Sequence, residues 1–412
     1  MSPRLPCFEL ERLPGVTGEQ LAVRDTVRRF VEREIAPHAA EWDEVEGFPR
    51  DLHQRAAEIG LLGLGYPEAL GGTPCDAFAR VAASIELGRA GAGGVGASLM
   101  SHTIMLPPLL EGARADVLGS VAPALLSGRA IGALAVTEPS GGSDVAALRT
   151  RAEPAPGGFR LHGEKTYITS GLRADWILVA ARLVDGLADR TADASNATGA
   201  SRSRPGVSLF LLDGEARGLS RTALRKTGWW ASDTASLHLD GCFVPAERLV
   251  GPPHGGFPLV MRNFNAERLT LAATAVGAAI TCCEDARDWA RQRQVFGAPL
   301  ITQQVVRHKL VAMVEGVLPM LAWLQALAAR IDAAAVDAAL DARSCAAEIA
   351  LAKNRAARLM RDCAGEAVQV LGGMGFMRGS RVERIWRDTK VMMIGGGAEE
   401  VLADLAARQL DL

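Results

Sequence analysis

Net charge is almost absent from this chain: 45 Lys and Arg stand against 47 Asp and Glu in 412 residues, a formal balance of −2. Basic side chains are scattered rather than massed in one segment, so there is no electrostatic footprint for nucleic acid or an anionic membrane. The seven cysteines show no CxxC spacing, and the seven histidines form no HxxxH or HxH pair. That pattern excludes a zinc-finger-type site and a disulfide framework, so no metal is expected and a reducing, cytoplasmic setting fits best. The opening stretch, MSPRLPCFELERLPG, lacks an apolar centre and carries acids, unlike a secretory or mitochondrial leader. Long hydrophobic runs are also missing. The longest, such as Leu269 to Cys283, read as too short to cross a bilayer, and their Ala and Gly content suits close helix packing instead. What is present is enough chain to bury a large core, expected as two or three packed regions.

The first third is helical in pattern. Thr17-Gly-Glu-Gln20 has the form of a capping box, and Val23, Val27, Phe30, Val31 and Ile35 follow at helical spacing until Pro37. A second helix is expected near Pro49, in PRDLHQRAAEIGLL, running into the turn GYPEALGG. Ala/Leu-rich helices continue to about Arg129. From Ile131 the composition changes to short β-branched or alternating segments: IGALAVTE, GFRLHGEKTYITS, ADWILVAAR, GVSLFLL and ASLHLDGCFV. Between two of them, Val184 to Gly206 has almost no apolar content and is expected to be a long, mobile surface loop without a function of its own. Helical periodicity returns from about Pro258. The expected domains are therefore helical over 1–130, β over 131–250 and helical over 251–412. Grouping by class in this way sets aside a doubly wound α/β fold, in which the two would alternate.

Four stretches carry chemistry. In AVTEPSGGSD, Ala135 to Asp144, small hydroxyls and bare backbone N–H groups follow a strand end, where they can wrap an oxygen-rich ligand; an ordinary loop would read the same way. GEKTYITSGLRAD, Gly163 to Asp175, sets Tyr167 two residues before Thr169 on a strand, an arrangement able to stack on and bond a flat heterocycle, although core packing would explain Tyr167 equally well. RQRQVFGAPLITQQ and QVLGGMGFMRGSRVERIWRD follow in the last third.

Together, and in this order, the four resemble the acyl-CoA dehydrogenase family along nearly the whole chain. The resemblance implies a mainly α fold with a helical N-terminal domain, a central β domain and a C-terminal four-helix bundle. It further implies an FAD enzyme acting on acyl-CoA and a homo-oligomer, dimer or tetramer. Electrons would pass to an electron-transfer flavoprotein. By the same likeness Val136, Thr137, Gly142 and Ser143 would contact the flavin, Ser143 also the substrate, and Tyr167, Ile168 and Thr169 would lie against the flavin ring. Many relatives have Trp where this chain has Tyr167. Arg293, Phe296 and Gln304, with Gln369, Gly372 and Gly373, would reach the diphosphate and adenosine of a neighbouring subunit's flavin. A guanidinium pairs well with pyrophosphate and stays charged at any working pH, which suits Arg293 to that role; a solvated helix arginine is the lesser alternative.

The family's reaction removes a proton next to a thioester and a hydride from the following carbon. It therefore needs a carboxylate whose pKa burial has raised, and donors for the thioester oxygen. In many relatives the base sits in the loop corresponding to IGGGAEEVL, Ile394 to Leu402, at the position occupied here by Gly396, which has no side chain. A sub-group that includes isovaleryl- and long-chain-specific members keeps the base on a helix, in a context matched by FNAERLTLAA, where Glu267 takes that position. Glu267 is thus the expected base, with the Gly396 N–H on the thioester oxygen. Asn265, Arg268 and Gly397 would lie on the substrate side and Ala398 and Glu400 on the cofactor side. Arg268 could equally serve a core or interface ion pair. Glu399 and Glu400 are rival carboxylates, more simply read as complements to a helix N-terminus. Ala398 stands where relatives commonly have Thr, a lost hydroxyl worth about 1 kcal/mol. VERIWRD reads as a structural helix with charged pairs. An acyl-CoA oxidase or flavin monooxygenase would share the fold and use oxygen, and a non-catalytic scaffold would bind no flavin.

Overall fold

The computed structural model describes residues 3–184, 206–336 and 342–412, so the surface loop expected between Val184 and Gly206 lies, but for its two ends, outside the described residues. α1 (Gly18–Phe30) opens on the expected capping box: Thr17 Oγ1 accepts from the Gln20 N–H at 3.3 Å, and Gln20 Oε1 accepts from the Thr17 N–H at 2.9 Å. One π-helical turn, Val31–Ile35, carries the chain to Pro37. Then come α2 (Ala39–Glu44), α3 (Leu52–Glu58), α4 (Ala77–Arg89), α5 (Gly93–Leu99), α6 (His102–Gly112) and α7 (Ala115–Leu126). α3 is the helix expected after Pro49.

The strands are β1 (Gly132–Ala135), β2 (Arg151–Ala155), β3 (Gly158–Ile168), β4 (Trp176–Leu183), β5 (Val207–Asp213), β6 (Leu219–Ala223), β7 (Ala235–Pro245) and β8 (Leu249–Val250). They form a sheet in the order β6-β7-β3-β2-β4-β5-β8, with β1 added in parallel to β4. The last third holds α8 (Gly256–Gln292), the hairpin β9 (Gln294–Val295) and β10 (Ala298–Pro299), then α9 (Gln304–Val336) and α10 (Ala342–Leu371). α11 (Gly373–Phe376), α12 (Arg381–Ile394) and α13 (Glu399–Gln409) complete it. Helices, strands and helices thus follow one another as the sequence pattern implied.

Spatially the chain forms two compact units. One gathers Met1–Ala97, Lys226–Ser232 and Asn265–Leu412; the other gathers Ser98–Arg225 and Asp233–Phe264. In the strand-rich unit the apolar face of β4, with Ile177, Val179 and Ala181, packs with Leu161, Phe210, Leu237 and Leu239. β3 and β7 pair antiparallel with irregularities at Leu161/His162 and at Lys165/Ile168. At the second of these Tyr167 takes φ +61°, so it departs from the regular strand expected there.

The helical unit depends on how closely α4 and α8 approach. A Cβ on Gly277 would lie 2.0 Å from the Ile85 carbonyl oxygen, and one on Gly88 would lie 2.1 Å from that of Thr274. Only glycine permits backbones this close, which explains the small residues of the Leu269–Cys283 run. Around the crossing, Ala272, Ala273, Val276, Ala279 and Ile280 of α8 are buried with Val81 and Ala82 of α4. α12 carries the charged pairs expected of VERIWRD: Arg387 bonds Glu383 on its own helix and reaches Asp43 at 2.5 Å.

One expectation needs correction. α8 and the Gln304–Ala333 part of α9 are long and apolar enough to cross a membrane by length and composition, with mean hydropathies of 1.3 and 1.7 over their most apolar windows. Counting uninterrupted apolar residues hid this, because a whole helix tolerates an occasional charge. Within the structure 78% of the α8 window is buried, as in the core helix of a globular unit, against 33% of the α9 window.

Candidate active site

α8 presents Asn265, Glu267 and Arg268 within the helical unit. The Glu267 carboxyl is half-buried, and desolvation pushes its pKa up to about 7 against the opposing pull of the Arg268 and Lys353 cations. Burial lowers the proton affinity of the Arg268 guanidinium, which Glu267 partly restores. Arg268 Nε donates to the Gly396 carbonyl at 2.9 Å and Nη1 donates to Asn265 Oδ1 at 3.1 Å. Arg268 is therefore a bridge from α8 to the glycine loop, beyond any ion-pairing role.

That loop, Gly395–Gly397, joins α12 to α13. Gly396 has φ +68° and Gly397 φ +113°, conformations that L side chains resist. A Cβ on Gly396 would begin 2.7 Å from Leu271 Cδ1 and 4.0 Å from Glu267 Oε1. The space that a side chain at 396 would enter is thus the space that the Glu267 carboxyl already borders. Glu399 and Glu400 stand in the first turn of α13, whose N-cap residue, Ala398, makes no side-chain cap. Glu399 Oε1 accepts from Arg358 Nε at 2.9 Å and Glu400 is exposed, which suits the helix-terminus role rather than that of base.

Two polar groups escaped the sequence reading. Lys353 Nζ donates to the Gly397 carbonyl at 2.9 Å, and Asn354 Nδ2 donates to the Glu399 carbonyl at 2.8 Å. Both are buried on α10. Their signal was present: Ala350 and Ala357, three before and four after Lys353, are buried, so the apolar pattern turned this lysine inward.

In the strand-rich unit the ends of β1 and β3 are tied together. The Thr137 hydroxyl donates to the Thr166 carbonyl, and the Thr166 N–H donates to that of Thr137 at 2.9 Å. Gly142 lies against Thr137, 3.6 Å separating Thr137 Cγ2 from a Cβ placed on the glycine. Val136 is buried, and its carbonyl accepts from Lys165 Nζ at 3.0 Å. Lys165 also meets Glu138 at 2.8 Å, and Glu138 accepts from Thr150 and from the Arg149 N–H. This buried Glu138–Lys165 pair, present in both quoted motifs but not singled out from sequence, fixes the two strand ends. Burial brings Lys165 down to about 8, opposed by the Glu138 carboxylate. Tyr167, next to this tie, holds its ring 71% exposed on its left-handed backbone, while Ile168 is buried, Thr169 half-buried and Ser143 exposed. That left-handed backbone costs about 1–2 kcal/mol and leaves Tyr167 uncovered.

The residues expected to reach a neighbouring subunit's cofactor are all at the surface of the helical unit. Arg293, Gln304, Gln369, Gly372 and Gly373 are exposed, and Phe296, at the β9–β10 turn with φ +47°, is 99% exposed. Among the described residues no group of three or more His, Cys, Asp or Glu is placed to hold a metal ion.

A carboxyl whose pKa burial raises toward neutrality, beside a clamped glycine loop, has the chemistry to exchange a proton. Comparison with known proteins gives the family. The N-terminal, middle and C-terminal domain models of acyl-CoA dehydrogenase match residues 17–129, 133–242 and 254–410. An acyl-CoA dehydrogenase of Bacillus subtilis is 34% identical, covering 94% of this chain and 96% of its own. The long-chain specific acyl-CoA dehydrogenase, mitochondrial, of Sus scrofa is 30% identical, covering 96% and 87%. A crystal structure of a probable acyl-CoA dehydrogenase from Mycobacterium abscessus superposes with a TM-score of 0.86 at 39% identity, over 96% of this chain and 99% of that one. The chain belongs to the acyl-CoA dehydrogenase family, and it is an FAD-dependent oxidoreductase.

Proposed function

We propose that the protein desaturates acyl-CoA thioesters at the α,β position with Glu267 as the base, which would set it in the sub-group that keeps this glutamate on the helix. One observation carries the reading: the Glu267 carboxyl borders the space that a side chain at 396 would fill, 4.0 Å from that Cβ position. Its pKa of about 7 leaves a large carboxylate fraction at neutral pH while keeping proton affinity.

In this mechanism Glu267 takes the α-proton onto a carboxylate oxygen. The electrons of that C–H bond form the second bond between the α and β carbons, and the β-hydrogen leaves with its own pair. FAD, when bound, supplies the acceptor for that hydride. The Gly396 N–H donates to the thioester oxygen as negative charge builds on it, and Arg268 holds the Gly396 carbonyl from behind. Val136, Thr137, Gly142, Ser143 and the Tyr167–Thr169 segment would hold the flavin, with Arg293, Phe296, Gln304 and Gln369–Gly373 reaching a neighbour's. The same reading makes the protein a homo-oligomer that delivers electrons to an electron-transfer flavoprotein.

Glu267→Gln tests it. The variant should purify yellow with flavin bound, yet anaerobic bleaching by acyl-CoA should nearly vanish; bleaching at the wild-type rate ends the assignment. Stoichiometric peroxide on reoxidation in air would move the enzyme to the oxidase class.

A further inference from the structure

Gly395–Gly397 must keep one N–H aimed at a developing charge while Glu267 changes its own charge nearby. Glycines cannot hold such geometry themselves, because their backbone freedom is the widest of any residue. Restraint comes from three side chains on two helices. Arg268 of α8 bonds the Gly396 carbonyl at 2.9 Å, while Lys353 and Asn354 of α10 bond the Gly397 and Glu399 carbonyls at 2.9 and 2.8 Å.

Lys353 is the unusual member. It is 1% exposed, and burying an ammonium is expensive unless its charge is used. Desolvation brings it down to about 8, with Glu399 and Glu267 supporting the cation and Arg268 opposing it. A carbonyl can be held without charge, as Asn354 shows one residue away. The charged groups facing this ammonium are Glu267 and Arg268 from α8 and Glu399 from α13, the last already paired with Arg358.

We propose that Lys353 is a positioning residue for the reaction: it clamps the Gly397 carbonyl so that the Gly396 N–H stays aimed, and its charge favours the carboxylate form of Glu267. One buried side chain would then serve both the donor and the base. The inference rests on Glu267 being that base.

Its test compares Lys353→Met, Lys353→Gln and Lys353→Arg in flavin-loaded enzyme. Acyl-CoA turnover is followed against pH with an artificial acceptor, and amide hydrogen exchange of the 391–402 segment is measured with and without flavin. Both neutral variants should retain flavin and lose about tenfold to a hundredfold in kcat, the scale of a small misplacement, with KM little changed. Their acid limb should move to higher pH, their loop should exchange faster, and Lys353→Arg should return the limb toward wild type. Wild-type turnover, limb and exchange in Lys353→Gln would overturn the proposal. So would lost stability with an unmoved acid limb. Lys353→Gln keeps a donor for the buried carbonyl and carries the test if Lys353→Met does not fold; loss of folded protein in both assigns Lys353 a structural role instead. Glu267→Gln separates the two ideas: normal turnover there removes the base, whereas an inert Glu267→Gln beside a normal Lys353→Gln removes only the positioning role.

Discussion

At the scale of single residues, Glu267 should write its own pH signature. As the proposed base, with a pKa of about 7, it should make kcat/KM climb through neutrality and level off above it, readable from initial rates across pH 5.5–9. Stability should move the other way. The folded state holds this proton up to about 7, while the unfolded chain releases it near the ordinary glutamate value of 4.5, so folding stability falls as pH rises through that window. Glu267→Gln removes the effect. Thermal unfolding of flavin-free protein should find it more stable than wild type at pH 8, by at most about 3 kcal/mol, and equal to it at pH 4. Gly396 has two separable constraints, its φ of +68° and the 2.7 Å approach of Leu271 to any Cβ. Gly396→Ala should therefore slow single-turnover bleaching by about tenfold, one hydrogen bond's worth of misalignment. Leu271→Ala added to it should recover only part, because the backbone strain persists. The context FNAERLTLAA made Glu267 legible in the sequence. Lys353 was legible only in part: the alanines around it turn it inward, but its role depends on the three-dimensional path of a distant glycine loop.

Elements were easier to read than their contacts. The Thr17 capping box, the change to strands after Ile131 and the return to helices all follow from local periodicity and turn chemistry. The irregularity at Lys165/Ile168 that turns Tyr167 outward depends on the register of β3 against β7, which no short window of sequence contains. The α4–α8 crossing is intermediate: glycine content announced close packing, but not that Gly277 meets Ile85 and Gly88 meets Thr274. Gly277→Ala must force these backbones apart. We expect about 1–3 kcal/mol of lost stability in urea unfolding, together with lower turnover, because α8 carries Glu267. Unchanged stability would mean that the crossing is looser than the 2.0 Å approach implies.

For the whole molecule, the question is what covers the apolar surface that one chain leaves open. Val305, Val311 and Leu318 of α9 are 63%, 62% and 40% exposed, and Phe376 is 73% exposed. The homo-oligomer proposed above would cover such side chains, so sedimentation should find a dimer or larger species rather than a monomer. The proposed sharing of the flavin makes a sharper demand. Arg293→Ala should weaken FAD retention by about tenfold or more, as expected for losing a charge-assisted bond to pyrophosphate. At limiting FAD that variant is poorly active, and Glu267→Gln is inactive at any FAD concentration. In a mixed dimer, the chain bearing Arg293→Ala keeps its own Glu267 and receives an intact Arg293 from its neighbour, so one complete site is restored. Co-expression of the two variants should then recover activity above the sum of the parents, approaching about a quarter of wild type when dimers assemble at random. If each chain completed its own site, every site in every dimer would carry one defect, and no recovery would be seen.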